Sequence, residues 1–418
     1  MESFFKVKTP DEVFEIIDRF DPCGQETEPV EHACGRVLSE DIVSPENLPG
    51  FFRSTMDGYA VRAKDTFGAS ETLPALLELS GEVIMGAPPG MDVGQGKAVK
   101  ISTGGMLPDK ADGVVMVEYC HLLDETTLEV NRTISPFENV IQPGDDFRKG
   151  ATILKKGRLL RHQDLGAMAG TGITSAPVFR APRIAIISTG DEIVPIDASL
   201  KPGQVRDINR YTLGSFCRQY GAKFLYMGLC PDDFEPLHRM VQNALGRADA
   251  VWISGGSSVG TRDLTLKVFE TLSDFELLVH GISISPGKPT IIGRSGSKPL
   301  IGLPGHVASA MVVAEVFLRR LILRLSGRID SGKGFQPYVE ALLTRNIESR
   351  SGREDYIRVK VFEKEGILKA EPVFGKSGLI STLVEADGLV RIGMNREGLY
   401  EGQGVEVMLF ESYISGKS

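Results

Sequence analysis

The segment DAVWISGGSSVGTRDLT, residues 249–265, decides how the centre of this chain folds. An apolar run ends in a bend rich in glycine and serine, and the residues after the bend have the pattern of a helix start. A continuous apolar strand of this kind is typical of a sheet that is covered on both faces. Trp252 lies within the apolar run, and we expect it in the core.

Similar apolar runs lie on both sides of this segment. They are IAIIS at 184–188, KFLYMGL at 223–229, TIIG at 290–293 and LIGL at 300–303. Helical patterns at 236–245, 264–272 and 306–325 alternate with them. Strands that alternate with helices predict an α/β domain with a doubly wound, parallel sheet, which we place at residues 180–327.

The flanking regions have β patterns. Residues 46–146 contain short strand-like runs with frequent turns, which predict a β-rich domain. After the linker-like SGRIDSGKGFQP, alternating segments predict a small β domain at residues 332–418. Near the start, Thr9, Pro10 and Glu12 have the order of a capped helix N-terminus.

The bulk composition is that of a globular protein, with 42% hydrophobic and 24% charged residues in a chain of 418. A formal net charge of −8 argues against nucleic-acid and membrane-surface binders, because these classes carry a basic excess. The sequence has no signal-peptide pattern and no apolar run of membrane-spanning length, so we expect a cytoplasmic protein. Its five cysteines are scattered and indicate neither disulfides nor a zinc site.

Three loops follow predicted strands, in the position where an open α/β sheet binds its ligand. They are STGDEIV at 188–194, SGGSSVGTRD at 254–263 and LPGHVAS at 303–309. Glycines let the backbone approach a ligand, and free N–H groups at a helix start favour negative charge, so we expect a phosphate. The sequence lacks G-x-G-x-x-G and P-loop motifs, which argues against ordinary dehydrogenases and ATPases.

Acids in these loops indicate a cation, because phosphates and carboxylates otherwise repel each other. Glu192 and Asp263 are in place to share Mg²⁺ with the ligand. Asp263 also fits a helix N-cap, and Glu192 also fits a turn acid, so these alternatives remain open. Lys288 is either a point charge for an oxyanion or a solvated turn lysine. His306 is either a base or ligand, or a capping residue.

Seven motifs occur in order along residues 54–310: STMDGYAV, ISTGGMLPDKADGVVMVE, RIAIISTGDEIV, INRYTL, WISGGSSVGTRD, SPGKP and GLPGHVASA. Together they resemble the molybdopterin molybdenumtransferase family, known as MoeA and, in eukaryotes, as the E domain of gephyrin. The resemblance implies Mg²⁺-dependent insertion of molybdate or tungstate into adenylylated molybdopterin, with release of AMP. It also implies that the α/β domain is a MogA-like, molybdopterin-binding domain, and that residues 1–45 and 147–179 form an elongated helical and linker domain.

The resemblance implies site residues position by position. Catalytic residues are Asp57, Thr103, Glu192 and Asp263, and the first two are supplied across a homodimer to the other subunit. Mg²⁺ is held by Glu192, Asp263 and Asp146. The implied cradle for the pterin phosphates consists of Ser254, Gly255, Gly256, Ser257, Gly260, Pro304 and Gly305. The implied molybdate group consists of Lys288, Ser309, Arg353 and either Ser377 or Ser381.

The chain departs from the family pattern at two positions where the change alters the charge that a side chain can carry. Ser285 stands where the family commonly has a second lysine, and His306 stands where the family usually has asparagine. The implied protein partners are the molybdopterin adenylyltransferase and molybdoenzyme apoproteins. Two other functions remain open: a non-catalytic pterin-binding scaffold of the same fold, and a nucleotide pyrophosphatase that uses the α/β domain alone.

Overall fold

The computed structural model describes residues 7–255, 259–328 and 337–410, and of residues 259–263 only the backbone. The chain begins with helix α1 (Pro10–Asp18), followed by strands β1 (Gln25–Pro29) and β2 (Ile42–Val43). The predicted helix start is confirmed, because the Thr9 side chain accepts from the Glu12 N–H and Glu12 accepts from the Thr9 N–H.

A β-rich unit follows. Its strands are β3 (Arg53–Ser54), β4 (Gly58–Val61), β5 (Ala75–Glu82), β6 (Lys97–Ile101), β7 (Gly113–Met116), β8 (Cys120–Leu122), β9 (Thr127–Val130) and β10 (Val140–Ile141). Six of them form one sheet in the order β7-β4-β6-β5-β9-β8, and β3 pairs with β10. Three 3₁₀ turns occur in this half of the chain, at Val30–His32, Ala63–Thr66 and Val117–Tyr119.

The chain then returns to its first segment through β11 (Thr152–Leu154), α2 (His162–Gly170) and β12 (Ser175–Phe179). β12 pairs antiparallel with β1, and β11 pairs antiparallel with β2. Residues far apart in sequence therefore share one small core, which includes Leu38, Leu160 and Met168.

The central α/β unit contributes most residues of the two largest hydrophobic clusters among the described residues. Its strands are β13 (Arg183–Thr189), β14 (Ile193–Val194), β15 (Val205–Arg206), β16 (Lys223–Cys230), β17 (Ala250–Gly255), β18 (Phe275–His280), β19 (Ile284–Ser285), β20 (Ile291–Ser295) and β21 (Lys298–Leu303). Its helices are α3 (Asn209–Gln219), α4 (Phe234–Arg247), α5 (Val259–Glu270), α6 (Val307–Val313) and α7 (Arg319–Leu325), with a π-helical turn at Ala314–Leu318 between the last two.

The six-stranded central sheet has the order β16-β13-β17-β21-β20-β18. Five of its strands run in the same direction, as predicted, but β20 runs antiparallel to both of its neighbours. The expectation of a wholly parallel sheet is therefore wrong at this edge. Only two residues connect β20 to β21, and a parallel crossover needs a dozen or more.

Both faces of the sheet are covered, which confirms the doubly wound architecture. Alternate strand residues enter different cores: Ile186 and Trp252 pack with α1, α3, α6 and α7, whereas Ile187 and Ile253 pack with α4 and α5. Trp252 is fully buried, as expected. No helix of the described residues is long and apolar enough to cross a membrane.

The last unit is a small β barrel. Its elements are β22 (Tyr338–Leu343), β23 (Ile347–Glu348), β24 (Glu354–Lys364), β25 (Ile367–Pro372), α8 (Ser381–Val384), β26 (Gly388–Ile392), β27 (Gly398–Leu399) and β28 (Gly404–Leu409). Strands β24, β25, β22, β28 and β26 close on themselves, because β24 also pairs with β26. Strand β19 of the preceding unit joins β24 in parallel, so the barrel is hydrogen-bonded to the α/β unit.

Candidate functional site

The bend after β17 begins with a glycine that no other residue can replace without movement. A Cβ at Gly255 would fall on the Oγ1 and the carbonyl oxygen of Thr189, at the end of the neighbouring strand β13. The two strand ends therefore lie in close contact at the carboxyl edge of the sheet, where this class of fold binds ligands.

Asn209, the first residue of α3, links two of the three predicted loops. Its Nδ2 donates to the Oγ of Ser254 at 2.7 Å and to the carbonyl oxygen of Gly305 at 2.9 Å. Ser254 is 1% exposed, so its hydroxyl orients the loop from inside the protein. The ends of β17 and β21 are thus fixed relative to each other by one amide side chain.

Some buried polar atoms at this edge have no hydrogen-bond partner among the described residues. They include the Oγ1 of Thr189 and the Oδ1 of Asn209. A buried polar group without a partner is costly, and native proteins rarely keep one unless water, an ion or a ligand satisfies it. The edge is therefore suited to receive a polar ligand.

The start of α3 is itself anchored. The Oδ1 of Asp207 accepts from the N–H of Arg210 at 3.0 Å, and its Oδ2 accepts from the hydroxyl of Tyr226 at 3.0 Å. Burial, together with the nearby Asp207 carboxylate, raises the pKa of Tyr226 to about 12. The sequence interpretation assigned no role to Asp207, which precedes the motif INRYTL, or to Asn209, which lies within it. The signal available there was a capping Asp two residues before an Asn at a helix start.

The loop after β13 presents acids at the same edge. Gly190 has φ +147°, and a Cβ there would lie 2.9 Å from Oε2 of Glu192, whose side chain is exposed. The Oδ1 of Asp191 accepts from the N–H of Asp232 at 3.1 Å. Asp232 follows β16 and was also not predicted as a site residue.

Mg²⁺ is the cofactor that the resemblance implies, and the donors at this edge fit it. Exposed carboxylates are the hard oxygen ligands that Mg²⁺ requires, and Gly190 leaves room beside Glu192. Among the described side chains, however, no cluster of three or more His, Cys, Asp and Glu is arranged to hold a metal. Asp146 is exposed in the segment after β10.

Part of the predicted cradle lies outside the described residues, namely Gly256 and Ser257. The backbone of Gly260 and Asp263 belongs to α5, and the side chain of Asp263 is not described. Because α5 begins at Val259, Asp263 is the fifth residue of the helix. It is therefore not the N-cap, and this alternative reading is wrong.

The start of α6 meets the C-terminal barrel. His306, the N-cap residue, shares a hydrogen bond of 2.9 Å between its Nδ1 and the Oγ of Ser377, and the N–H of Ala308 donates to the Ser377 carbonyl at 3.0 Å. Pro304 and Ser309 are buried beside it. Of the two alternative serines, Ser377 contacts α6, whereas Ser381 is exposed at the first position of α8.

The two predicted cations of the molybdate group are carried by adjacent segments. Ser285 of β19 is the register partner of Asp355 in β24, and the exposed Lys288 follows three residues later. Arg353 directly precedes β24, and its Nε lies 2.9 Å from Oδ1 of Asp355, a carboxylate that also accepts from Ser349. The parallel pairing of β19 with β24 thus brings the two segments together.

Asp57 and Thr103 contact each other in the β-rich unit. The Asp57 Oδ1 accepts from the N–H of Thr103 at 2.7 Å and from its hydroxyl at 3.0 Å. The hydrogen bond from the Thr103 backbone has the larger effect and the bond from its side chain the smaller one. Both lower the pKa of Asp57, so the carboxylate is ionised at neutral pH. Both side chains are exposed on turns between strands.

A cavity of about 800 Å³ lies elsewhere, between α1, α7 and the barrel. Arginines dominate its charged lining, but none of the predicted site residues belongs to it. Its volume alone is therefore no reason to move the candidate site away from the strand-end loops.

Comparison with known proteins finds similarity along most of the chain. Three family models match consecutive parts of the chain: the MoeA N-terminal region (domain I and II) at residues 8–172, a probable molybdopterin binding domain at 185–324, and the MoeA C-terminal region (domain IV) at 340–410. Together they account for almost the whole chain.

Individual relatives match over nearly their full length. A molybdopterin biosynthesis protein of Methanocaldococcus jannaschii is 36% identical, with 91% of this chain and 90% of the relative covered. A molybdopterin molybdenumtransferase of Haemophilus influenzae is 31% identical, with 91% and 93% covered. A solved MoeA protein of Pyrococcus horikoshii superposes with a TM-score of 0.85 at 39% identity, covering 97% of this chain and 100% of that one. The chain therefore belongs to the MoeA family of molybdopterin molybdenumtransferases.

Proposed function

We propose that this chain inserts molybdate into adenylylated molybdopterin, with Mg²⁺ as cofactor and AMP as a product. One observation carries the proposal: Asn209 fixes two strand-end loops beside two buried polar atoms that lack partners among the described residues. This arrangement is suited to a ligand rich in oxygen atoms, such as a phosphoanhydride. The H. influenzae relative carries the corresponding activity in its name.

The phosphate end of the substrate binds in the cradle formed by the loops after β13, β17 and β21. Small residues such as Gly255 leave the backbone accessible, and backbone N–H groups are good donors to phosphate oxygens. Mg²⁺, held by Glu192, Asp263 and Asp146, supplies the positive charge that lets phosphates and carboxylates share this edge. Asn209 keeps the loops in register while the substrate binds.

The oxyanion end of the site lies where α6 meets the barrel. Lys288, Arg353, Ser309 and Ser377 donate hydrogen bonds to a tetrahedral dianion, and hydrogen bonds from charged groups are about twice as strong as neutral ones. Molybdate and tungstate share this charge and shape, so the site accepts both. His306 takes part through Ser377, whose hydroxyl it orients.

In the reaction, an oxygen of molybdate or of a water attacks the phosphorus of the pterin phosphate. A new P–O bond forms, the bridging P–O bond breaks, and AMP leaves with the bridging oxygen. If a water attacked, molybdenum bonds the two dithiolene sulfurs while the two thiol protons leave with one oxo group as water. If a molybdate oxygen attacked, that oxygen stays on the phosphate, its bond to molybdenum breaks as the two sulfurs bond the metal, and the thiol protons pass to solvent. The protein contributes mainly by positioning both substrates and by stabilising the developing negative charge.

Asp57 and Thr103 act in a homodimer. In one chain they lie on turns of the β-rich unit, so in this proposal they reach the α/β site of a second copy. Their mutual hydrogen bonds keep the Asp57 carboxylate ionised and oriented. In this proposal the chain is divided into four domains: residues 1–45 with 147–179, 46–146, 180–327 and 332–418. The β-rich domain is then a separate unit, as it must be to reach the site of a second copy. The same proposal includes a cytoplasmic location and contact with the molybdopterin adenylyltransferase and molybdoenzyme apoproteins.

The test is AMP release from adenylylated molybdopterin with Mg²⁺, in the presence of molybdate, tungstate or neither. Release that depends on the oxyanion supports the transferase. Oxyanion-independent release would indicate a pyrophosphatase, and no release from a folded protein that binds the pterin would indicate a scaffold.

A matched pair of variants tests the metal assignment. Asp263→Asn is expected to abolish turnover while leaving the fold intact. Asp274→Asn removes the same charge from an exposed position with φ +52°, a conformation that Asn also tolerates, and is expected to be neutral. Near-normal turnover by Asp263→Asn contradicts the assignment.

A further inference from the structure

Arg358, in β24 of the barrel, is a buried guanidinium that no carboxylate in the described part of the chain neutralises. It is 8% exposed, and no acidic side chain of the described residues lies within ion-pair distance of it. Its Nη2 donates to the carbonyl oxygen of Gly375 at 3.0 Å, and its Nε is buried without a partner in the described part of the chain. Burial lowers the pKa of Arg358, but arginine remains charged at neutral pH.

The carbonyl that Arg358 binds belongs to the loop 373–380, between β25 and α8. The same loop is held by a second bond, from the N–H of Val373 to the carbonyl of Arg358 at 2.8 Å. Two residues after Gly375 comes Ser377, which bonds His306 and Ala308 at the start of α6. Arg358 therefore holds this loop at Gly375, and Ser377 of the same loop contacts the start of α6.

The contacts form a continuous path across the candidate site. Ser254 bonds Asn209, Asn209 bonds the carbonyl of Gly305, and His306 next in the chain bonds Ser377. The path ends at Arg358 through Gly375. Arg358 is thus the only strongly charged member of this path, and its charge is uncompensated by any described acid.

An uncompensated buried charge is expensive, and replacing such a group by an apolar one often leaves a protein as stable or more so. Proteins keep such costly groups chiefly where function requires them. Since Ser285 supplies no positive charge at the oxyanion end of the site, a buried charge bonded to the loop that carries Ser377 has a function there.

We propose that Arg358 is a positioning residue of the oxyanion site, which holds the loop 373–380 in place for Ser377 and raises oxyanion affinity through its unneutralised charge. The inference rests on the proposed function. It adds a residue that does not touch the substrate and that acts through Gly375 and Ser377.

Three substitutions separate charge from shape. Arg358→Met removes the charge and the donor, Arg358→Gln retains a donor for the Gly375 carbonyl without charge, and Arg358→Lys retains the charge. We expect the KM for molybdate to rise roughly tenfold in the Met variant and clearly in the Gln variant, with kcat changed less than about threefold, because a buried charge acts strongly where the local dielectric is low. The Lys variant should recover most of the affinity.

A second readout distinguishes this role from a structural one. Urea unfolding should show that Arg358→Met is as stable as the parent protein or more stable, while tungstate binding measured by calorimetry, without any pterin, is weakened. A purely structural arginine predicts the reverse, namely lost stability with unchanged oxyanion affinity. If the Met variant does not fold, the Lys and Gln pair provides the same comparison.

The matched control is Arg345→Met. Arg345 is in the same barrel, but it is 64% exposed and pairs with Glu371 at 3.4 Å. Its loss removes an equal charge from the surface and should leave molybdate KM unchanged. An equal KM increase in both variants, or none in Arg358→Met, overturns the inference. Failure of the proposed function is a separate result, because the parent protein would then show no oxyanion-dependent AMP release.

Discussion

The Nδ1 of His306 and the Oγ of Ser377 lie 2.9 Å apart, and this hydrogen bond joins the first turn of α6 to the C-terminal barrel. The neighbouring bond from Ala308 N–H to the Ser377 carbonyl is made by backbone atoms and does not depend on either side chain. The side-chain contact can therefore be removed while the backbone contact stays. This property makes it a good probe of how the barrel affects the site.

His306→Ala and Ser377→Ala should each weaken molybdate binding, because the remaining partner is no longer oriented. A hydrogen bond contributes about 0.5–1.5 kcal/mol net, so we expect a rise in the molybdate KM of roughly two- to tenfold for each. The double variant should lose less than the sum of the single changes, which a double-mutant cycle on KM measures. Strictly additive effects would show that the two side chains act independently.

Asn209→Ala should reduce both stability and turnover. It leaves the Oγ of Ser254 and the carbonyl of Gly305 without their amide donor, and an unsatisfied buried group costs about 1–3 kcal/mol. Urea unfolding and AMP release measure the two effects. Asn243→Ala, on the exposed face of α4, is the control and should change stability by less than about 0.5 kcal/mol. Equal stability of the two variants would contradict the bridging role.

Gly255→Ala should destabilise the protein by about 1–3 kcal/mol, because the added methyl group overlaps Thr189 and forces the two strand ends apart. Gly246→Ala is the matched control. It lies in α4 with nothing within 4 Å of its would-be Cβ, so alanine there should stabilise the helix by about 0.5–1 kcal/mol. Thermal unfolding tests whether Gly255→Ala lowers stability and Gly246→Ala raises it. Unchanged stability of Gly255→Ala would be inconsistent with the close approach of β13 and β17.

Tyr226 should make stability fall at alkaline pH. Burial, reinforced by Asp207, raises its pKa to about 12, whereas an unfolded tyrosine titrates near ~10. A group whose pKa is raised on folding contributes its full stability below the unfolded pKa and loses it as pH rises towards the folded one. Urea unfolding measured from about pH 9 to about pH 11 should show that the free energy of unfolding declines less in Tyr226→Phe than in the parent protein. Identical declines would show that Tyr226 is not the group responsible. The pKa values of other tyrosines are also raised, so they would then account for the decline.

Local patterns in the sequence were enough to predict much of the fold. The Thr9 cap and the apolar strand that contains Trp252 depend on interactions within a few residues or on simple burial, and the structure has both. The helix predicted at 306–325 begins at Val307 and is interrupted by the π-helical turn at Ala314–Leu318. The family motifs identified the candidate site residues, because those motifs are short and contiguous. The antiparallel direction of β20 was missed, because an apolar run does not reveal its direction.

The sequence by itself determined which segments are strands, which loops follow them and which charged residues those loops carry. Tertiary structure alone decided which loops meet. Asn209 lies 45 residues from Ser254 and 96 from Gly305, and His306 lies 71 from Ser377, so no local pattern could predict these contacts. The physical reason is that hydrogen bonds at the carboxyl edge depend on strand order and on the docking of the barrel through β19 and β24.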